Sequence, residues 1–345
     1  MKPVYIQAAE QISLQQPLCE TWMSEPNVYD VPYARAIDPD FKQWLTPAES
    51  RRLGKILKRA WVTAQSLARK TGVEHPDAIL VGTGLGCMEN TERFLEALCR
   101  DGESLLSPTH FMQSTHNTIA SLLALRSHTH GYNITYSHKD VSFDLALQDA
   151  WMQFRMGKIR TALVGGYDEL TPSYFTLLER IGYMGGSLPG TGSEAAAALL
   201  LSTQTDHGLC ELASMRMLYR PTEQELGKAL HDLLDETHLT PESLAAVVTG
   251  VNGREAHDAP YHRFTQQLLP DVPTLRYQQW FGISYTASAY AVYAAAHCLD
   301  KGFIPEGMYY GHTAPRTGRP QALLLLNQSE EKQYSLIILR ALCGH

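Results

Sequence analysis

Five histidines, His110, His116, His128, His130 and His138, fall within 29 residues, and Asp140 follows two positions later. Neutral imidazoles and a carboxylate are common donors to a divalent cation, so the pattern admits a metal-dependent hydrolase. Its spacing argues against one, because the residues fall on separate predicted elements and no HExxH-like pair shares a helix face. Six cysteines, Cys19, Cys87, Cys99, Cys210, Cys298 and Cys343, stand far apart with no CxxC pair. That spacing implies neither a zinc knuckle nor a disulfide framework. Cys87 follows a glycine turn and Cys298 lies in a small-residue helix; each could serve as an acyl-accepting nucleophile, and each reads more simply as a small buried apolar side chain. GTGLG (82–86) lacks the helix-opening third glycine of a dinucleotide loop and the Gly-Lys-Ser/Thr of a phosphate loop, which leaves a tight turn. No metal and no cofactor is expected.

The elements that would position these residues alternate between helix and strand, which favours helices packed on sheet. PAESRRLGKILKRAWVTAQSLARKTG (47–72) opens after Thr46 with Pro47 and Glu49 in its first turn and predicts one amphipathic helix with a basic, solvated outer face. DAILVGTGLG (77–86) is a buried strand ending in the glycine turn, followed by the helix MENTERFLEALCR. NITYSH is a second strand; the helix from about Ser142 runs through Gly157-Lys158 into the strand TALVGG, which stops near Asp168 and Glu169. After a glycine-rich loop, EAAAALLLS predicts a strand buried on both faces. The theme then repeats with SLAAVVTGVNG, the small-residue helix TASAYAVYAAAHCLDKG, and the closing strands QALLLLNQ and YSLIILRAL. Two halves of similar order suggest an internal duplication, with identity too low to establish it.

The chain has 345 residues, 44% of them hydrophobic, enough for a large core and two fused halves. With 29 basic and 36 acidic residues its net charge is -7, and no basic run is interleaved with aromatics, which excludes a nucleic-acid partner. The N-terminus lacks the basic-then-apolar order of a signal peptide, and no stretch approaches the roughly 20 apolar residues that span a bilayer. A cytoplasmic protein without membrane contact is expected.

Five segments, GTGLGCMENTERFLEAL, LSPTHFMQSTHNTIASLLAL, GYNITY, ALQDAWMQFRMGKIRTALVGGYDELTP and SEAAAALLLS, resemble the β-ketoacyl synthase family of the thiolase fold in order and spacing. The resemblance covers residues 77–202 well and 245–305 more loosely. It implies an α/β thiolase-like fold of two similar βαβ halves in a five-layered α-β-α-β-α arrangement: residues 1–202 would form the N-terminal ketosynthase-like half and 203–345 a shortened C-terminal half. In that family the strand matching NITYSH leads to a cysteine at the start of the next helix, where dipole and free amides favour the thiolate that takes the acyl group. Counted back from Gly157 or forward from Asn133, that position is Asp140 in both cases. A carboxylate there is a poor nucleophile, and its simplest meaning is a helix N-cap.

The family's two histidines, which stabilise charge at the thioester carbonyl, are missing as well. TGVNGREAHD places Gly250 at the first histidine, with no register through Asn252 or Gly253 restoring an imidazole. QQWFGISYTASA places Gln278 at the lysine and Ile283 at the second histidine. The family's closing Phe-Gly-Gly-x-Asn loop corresponds to GHTAPRTGRPQALLLLNQ, and the chain is shorter than the roughly 400 residues expected of this fold with its lid insertions. An intact scaffold without the catalytic triad resembles the chain-length factor, a non-condensing partner of an active β-ketoacyl-ACP synthase. This resemblance implies a heterodimer in polyketide, aryl-polyene or fatty-acid-type biosynthesis. Its pairing strand would be Asn133, Ile134, Thr135 and Tyr136, with Phe111, Met112 and Phe143 as candidate walls of the acyl tunnel. An acidic acyl carrier protein would dock on the active subunit rather than on this acidic chain, so that its link to this chain is indirect. The alternatives are an active acyltransferase using another nucleophile and the histidine-rich hydrolase.

Overall fold

The computed structural model describes every residue except 1, 104, 105, 107, 205–207 and 343–345. The first half of the chain supplies strands β1 (Tyr5–Ile12), β2 (Ala78–Gly82), β3 (Tyr132–Tyr136), β4 (Thr161–Asp168) and β5 (Ala195–Ser202). Their helices are α1 (Pro47–Arg52), α2 (Lys55–Thr71), α3 (Met88–Asp101), α4 (Pro108–Met112), α5 (Thr118–Arg126), α6 (Ser142–Arg155) and α7 (Pro172–Arg180). The second half supplies β6 (Cys210–Tyr219), β7 (Ala246–Thr249), β8 (Thr274–Arg276), β9 (Tyr309–Tyr310), β10 (Ala322–Ser329) and β11 (Gln333–Arg340). Its helices are α8 (Glu223–Thr237), α9 (Glu255–Leu268), α10 (Gln278–Phe281) and α11 (Ser288–Lys301).

The strand order carries the duplication that sequence identity does not. One unit runs β3-β2-β4-β5-β1 and the other β8-β7-β10-β11-β6, with β9 outside β8. Directions repeat too. The pairs β2–β3, β2–β4, β7–β8 and β7–β10 are parallel, whereas β4–β5, β1–β5, β10–β11 and β6–β11 are antiparallel. In the sheet the two units meet at β1 and β6, through the pairs Tyr5–Glu211 and Ile6–Cys210.

Helices α2 and α5 cover the outer face of the first unit, α8 and α9 that of the second, and α6 and α11 lie between the two. These are the expected five layers, and each interlayer space holds a core. Alternation within β5 shows the division: Ala195, Ala197, Leu199 and Leu201 face the middle layer, and Ala196, Ala198 and Leu200 face α2. A strand buried on both faces reads as an unbroken apolar run for this reason. The predicted helix 47–72 is two helices, because the backbone is extended at Leu53 and Gly54. Thr46 caps the first of them in a capping box with Glu49.

The two acids at the end of β4 hold the glycine turn. Asp168 Oδ1 accepts from the Gly84 amide at 2.7 Å, the Leu85 amide at 2.8 Å and Thr83 Oγ1 at 3.2 Å, and Glu169 accepts from the Glu89 amide at 2.8 Å. Both are buried, and burial raises Asp168 to about 6 and Glu169 to about 7 despite these donors. A carboxyl with a raised folded pKa binds its proton more tightly in the folded chain, so its contribution to stability is full below about pH 4 and is lost as pH rises through about 6. Asp168→Asn keeps an oxygen for the two amides and carries no charge. Its stability relative to wild type should rise between pH 4 and 7, by up to about 3 kcal/mol, in urea unfolding followed by circular dichroism. A difference independent of pH contradicts the assignment.

Candidate functional site

Strand β3 runs into a tight turn in which Lys139 takes the left-handed conformation, φ 48°, and a short 3-10 turn, Lys139–Val141, then opens α6. Turns of this strand-to-helix kind thrust one residue forward into a site. That residue is Asp140, but it does not cap the helix. Ser142 Oγ accepts from the His138 amide at 2.7 Å and donates to the Lys139 carbonyl at 2.7 Å, closing the turn locally. The N-cap position belongs to Val141, which makes no side-chain capping bond. Asp140 Oδ2 instead accepts from Ser329 Oγ at 2.8 Å, and its carbonyl accepts from Asn327 Nδ2 at 2.8 Å. Burial raises the Asp140 carboxyl, while Ser329, the charge of His257 and that of Lys139 pull it down.

Gln278 and Ile283 reach the same place from the second half of the chain. Gln278 Oε1 accepts from Asn252 Nδ2 at 3.1 Å, and the Ile283 amide donates to the Thr191 carbonyl at 2.8 Å. Asp140, Gln278 and Ile283 line one cavity of about 40 Å³, narrowed by Tyr183, Tyr285 and Arg254. That is room for on the order of three waters. Arg254 ties it shut, donating from Nε to the Pro189 carbonyl at 3.1 Å and from Nη1 to the Tyr183 carbonyl at 3.0 Å. An outer cleft of about 600 Å³ shares Asn252, Gln278 and Ile283 with the inner cavity and does not reach Asp140.

Gly250 stands behind this cavity at the end of β7. A Cβ there would lie 2.5 Å from the Tyr261 hydroxyl, so the phenol fills the space a side chain at 250 would need. Tyr261 is itself fixed, donating to Asn327 Oδ1 at 3.2 Å and accepting from the Gln328 amide at 3.3 Å.

An imidazole does line the cavity, from a position outside the expected registers. His257, in the first turn of α9, pairs through Nδ1 with Asp258 Oδ1 at 2.9 Å and acts on Asp140 by its charge. The sequence signal was the adjacent His-Asp at the end of TGVNGREAHD. Asp144, in the first turn of α6, lies outside the sequence reading; it is fully buried and accepts from Ser288 Oγ at 2.7 Å and Asn327 Nδ2 at 2.8 Å. The segment set against Asp140 is the end of β10, Asn327 to Ser329, whereas Gly311 to Thr313 of the GHTAPRTG stretch line a separate cavity beside α9.

The tunnel candidates do not share a cavity. Phe143 is fully buried in the middle layer, whereas Phe111 and Met112 stand on the surface, 57% and 70% exposed, with Phe111 against Phe94 at 5.3 Å. Asn133 to Tyr136 lie on β3, the open edge of the sheet. The histidines remain apart: His110 is on α4 beside Asn90, His128 and His130 follow α5, and His138 contacts Gln333. Among the described residues no three metal-binding side chains converge. Cys87 and Cys298 are buried, which pushes both thiols up, Cys298 to about 12, so neither is poised as a thiolate. Cys343 lies outside the described residues.

Residues 13–263 match the sequence model of the "Beta-ketoacyl synthase, N-terminal domain" family. The chain belongs to the β-ketoacyl synthase family. Its fold is that of solved ketosynthases. The structure described as the ishigamide ketosynthase/chain length factor superposes with a TM-score of 0.84 at 15% identity, covering 99% of each chain. A β-ketoacyl synthase from Burkholderia phymatum STM815 gives 0.81 at 14% identity, covering 99% of this chain and 100% of that one. The ketosynthase ApeO in complex with its chain length factor ApeC, from Xenorhabdus doucetiae, gives 0.76 at 13% identity over 99% and 98%. A sequence search of curated proteins finds no match. Among the described residues no helix of this family member is long and apolar enough to cross a membrane.

The contact at Gly250 is open to a mutant cycle. Gly250→Ala should cost about 1–3 kcal/mol by overpacking, and most of that cost should vanish in a Tyr261→Phe background. Equal costs in both backgrounds, by urea unfolding, contradict the contact.

Proposed function

We propose that this chain is a non-condensing ketosynthase-like subunit of the chain-length-factor type. It works in the cytoplasm beside an active β-ketoacyl-ACP synthase, in polyketide, aryl-polyene or fatty-acid-type biosynthesis. The observation that supports this reading is the narrow space around Asp140: at the position that the family resemblance gives to the nucleophile, a hydrogen-bonded carboxylate lines a cavity of about 40 Å³. A long acyl chain needs several times the room of the roughly three waters this space holds. The likeness to structures described as ketosynthases with their chain length factors supports the same reading.

Strand β3, through Asn133, Ile134, Thr135 and Tyr136, is the pairing edge, since among the described residues its outer side has no strand neighbour. Phe111 and Met112, exposed on α4, are the residues available to a partner's acyl tunnel, whereas Phe143 is buried in the middle layer. The acyl carrier protein meets the active subunit, and its contact with this chain is indirect.

Co-expression with an intact ketosynthase encoded beside it should yield a stable one-to-one assembly by light scattering. Amide exchange at Asn133 to Tyr136 should slow at least about tenfold in that assembly relative to the chain alone. Absence of the assembly, or carbon-carbon bond formation by the isolated chain, contradicts the proposal.

A further inference from the structure

The pairing edge carries a charge that its own chain leaves without a counter-ion. Tyr132 and Tyr136, the first and last residues of β3, both donate to Asp149 Oδ2 on α6, at 2.8 and 3.1 Å. Gln153 Nε2 donates to Asp149 Oδ1 at 3.0 Å. All three donors are neutral, and among the described residues no cation pairs with this carboxylate. The nearest cation along α6, Arg155, lies over the Trp151 ring at 4.4 Å instead. The surroundings are surface of mixed polarity: Tyr132 is 38% exposed, and Met152 and Met156, further along the same helix, are 47% and 52% exposed.

Covering this edge takes the carboxylate out of water. Three neutral donors offset part of that cost, and a facing cation offsets the rest. We propose that the β3–α6 edge is built for a partner strand bearing a lysine or arginine opposite Asp149, and that the same carboxylate disfavours pairing with a second copy of this chain. The inference rests on the reading of β3 as the pairing strand.

In an antiparallel self-pairing centred on β3 the twofold axis passes near its midpoint, Ile134. Asp149 bridges both ends of the strand and so lies level with that midpoint. Each copy would therefore bring its own carboxylate to the axis on the same side of the sheet. With paired strands about 4.8 Å apart, the two charges would stand on the order of 10 Å from each other in a water-poor interface, close enough to repel. A partner with a cation at that place converts the repulsion into selection, as charge patterns do in other heteromeric pairs.

Sedimentation equilibrium on the purified chain tests this without any other protein. Asp149→Asn retains an oxygen for both phenols and removes the charge, and it should self-associate about tenfold more tightly than wild type. An equimolar mixture of wild type with Asp149→Lys should form a mixed dimer tighter than either parent, weakening as salt rises. If neither wild type nor Asp149→Asn self-associates, the mixture decides. Equal self-association of wild type and Asp149→Asn, or a mixture no tighter than its parents with Asp149→Lys folded by circular dichroism, overturns the proposal. The two assignments separate cleanly: a chain that co-purifies with an intact ketosynthase but shows either of those results keeps its place as a subunit and loses this specificity.

Discussion

The position of residue 140 is set by a backbone contact that is indifferent to what residue 140 is. Gly82, the last residue of β2, lies so close to the start of α6 that a Cβ on it would sit 2.4 Å from the Phe143 amide nitrogen. The helix start is thus pressed against the end of the sheet, and the turn from β3 must deliver residue 140 into the space between the two units. From the other side, α11 holds α6 in the middle layer with Ser288 on Asp144 at 2.7 Å. Two sheets facing a common helical layer fix this geometry through packing alone. Chemistry at position 140 can therefore be lost while the place remains.

A set of contacts fills and narrows that place. Asp140 is bound to Ser329, the space in front of Gly250 belongs to Tyr261, and Asn327 ties Asp140, Asp144 and Tyr261 into one network. A buried network of this kind rigidifies its surroundings when its members find partners. Arg254 then pins the glycine-rich loop over the top. The narrow cavity and the open strand edge lie at opposite ends of β3 and its following turn, so one short segment, 132–140, carries both features on which the proposed function rests.

The amount that sequence alone revealed follows the range of the interactions. Strand identities were legible because periodicity reports on local structure, and the meeting of Asp140, Gln278 and Ile283 in one cavity was implied only by the family resemblance. The duplication was only suggested by sequence and becomes plain in strand order, which identity between the halves does not record. Asp140 as N-cap was wrong because Ser142, two residues on, closes the turn and leaves the carboxylate to a residue 189 positions away. Tyr261 and Asn327 were illegible for the same reason: each matters through a neighbour far along the chain. His257 stands in the quoted TGVNGREAHD, but helix α9 brings it to the cavity from a register that spacing did not suggest. Helix α11 showed little amphipathic pattern because nearly all of it is buried between the sheets.

The central claim is that the reaction site is closed by shape as well as by the identity of residue 140. Intact-mass spectrometry of Asp140→Cys after incubation with an acyl-thioester donor measures this directly. With a long-chain donor the account predicts an unmodified mass, since a space of about 40 Å³ cannot hold a long acyl chain on the introduced sulfur. A stable acyl adduct on the introduced sulfur would contradict it.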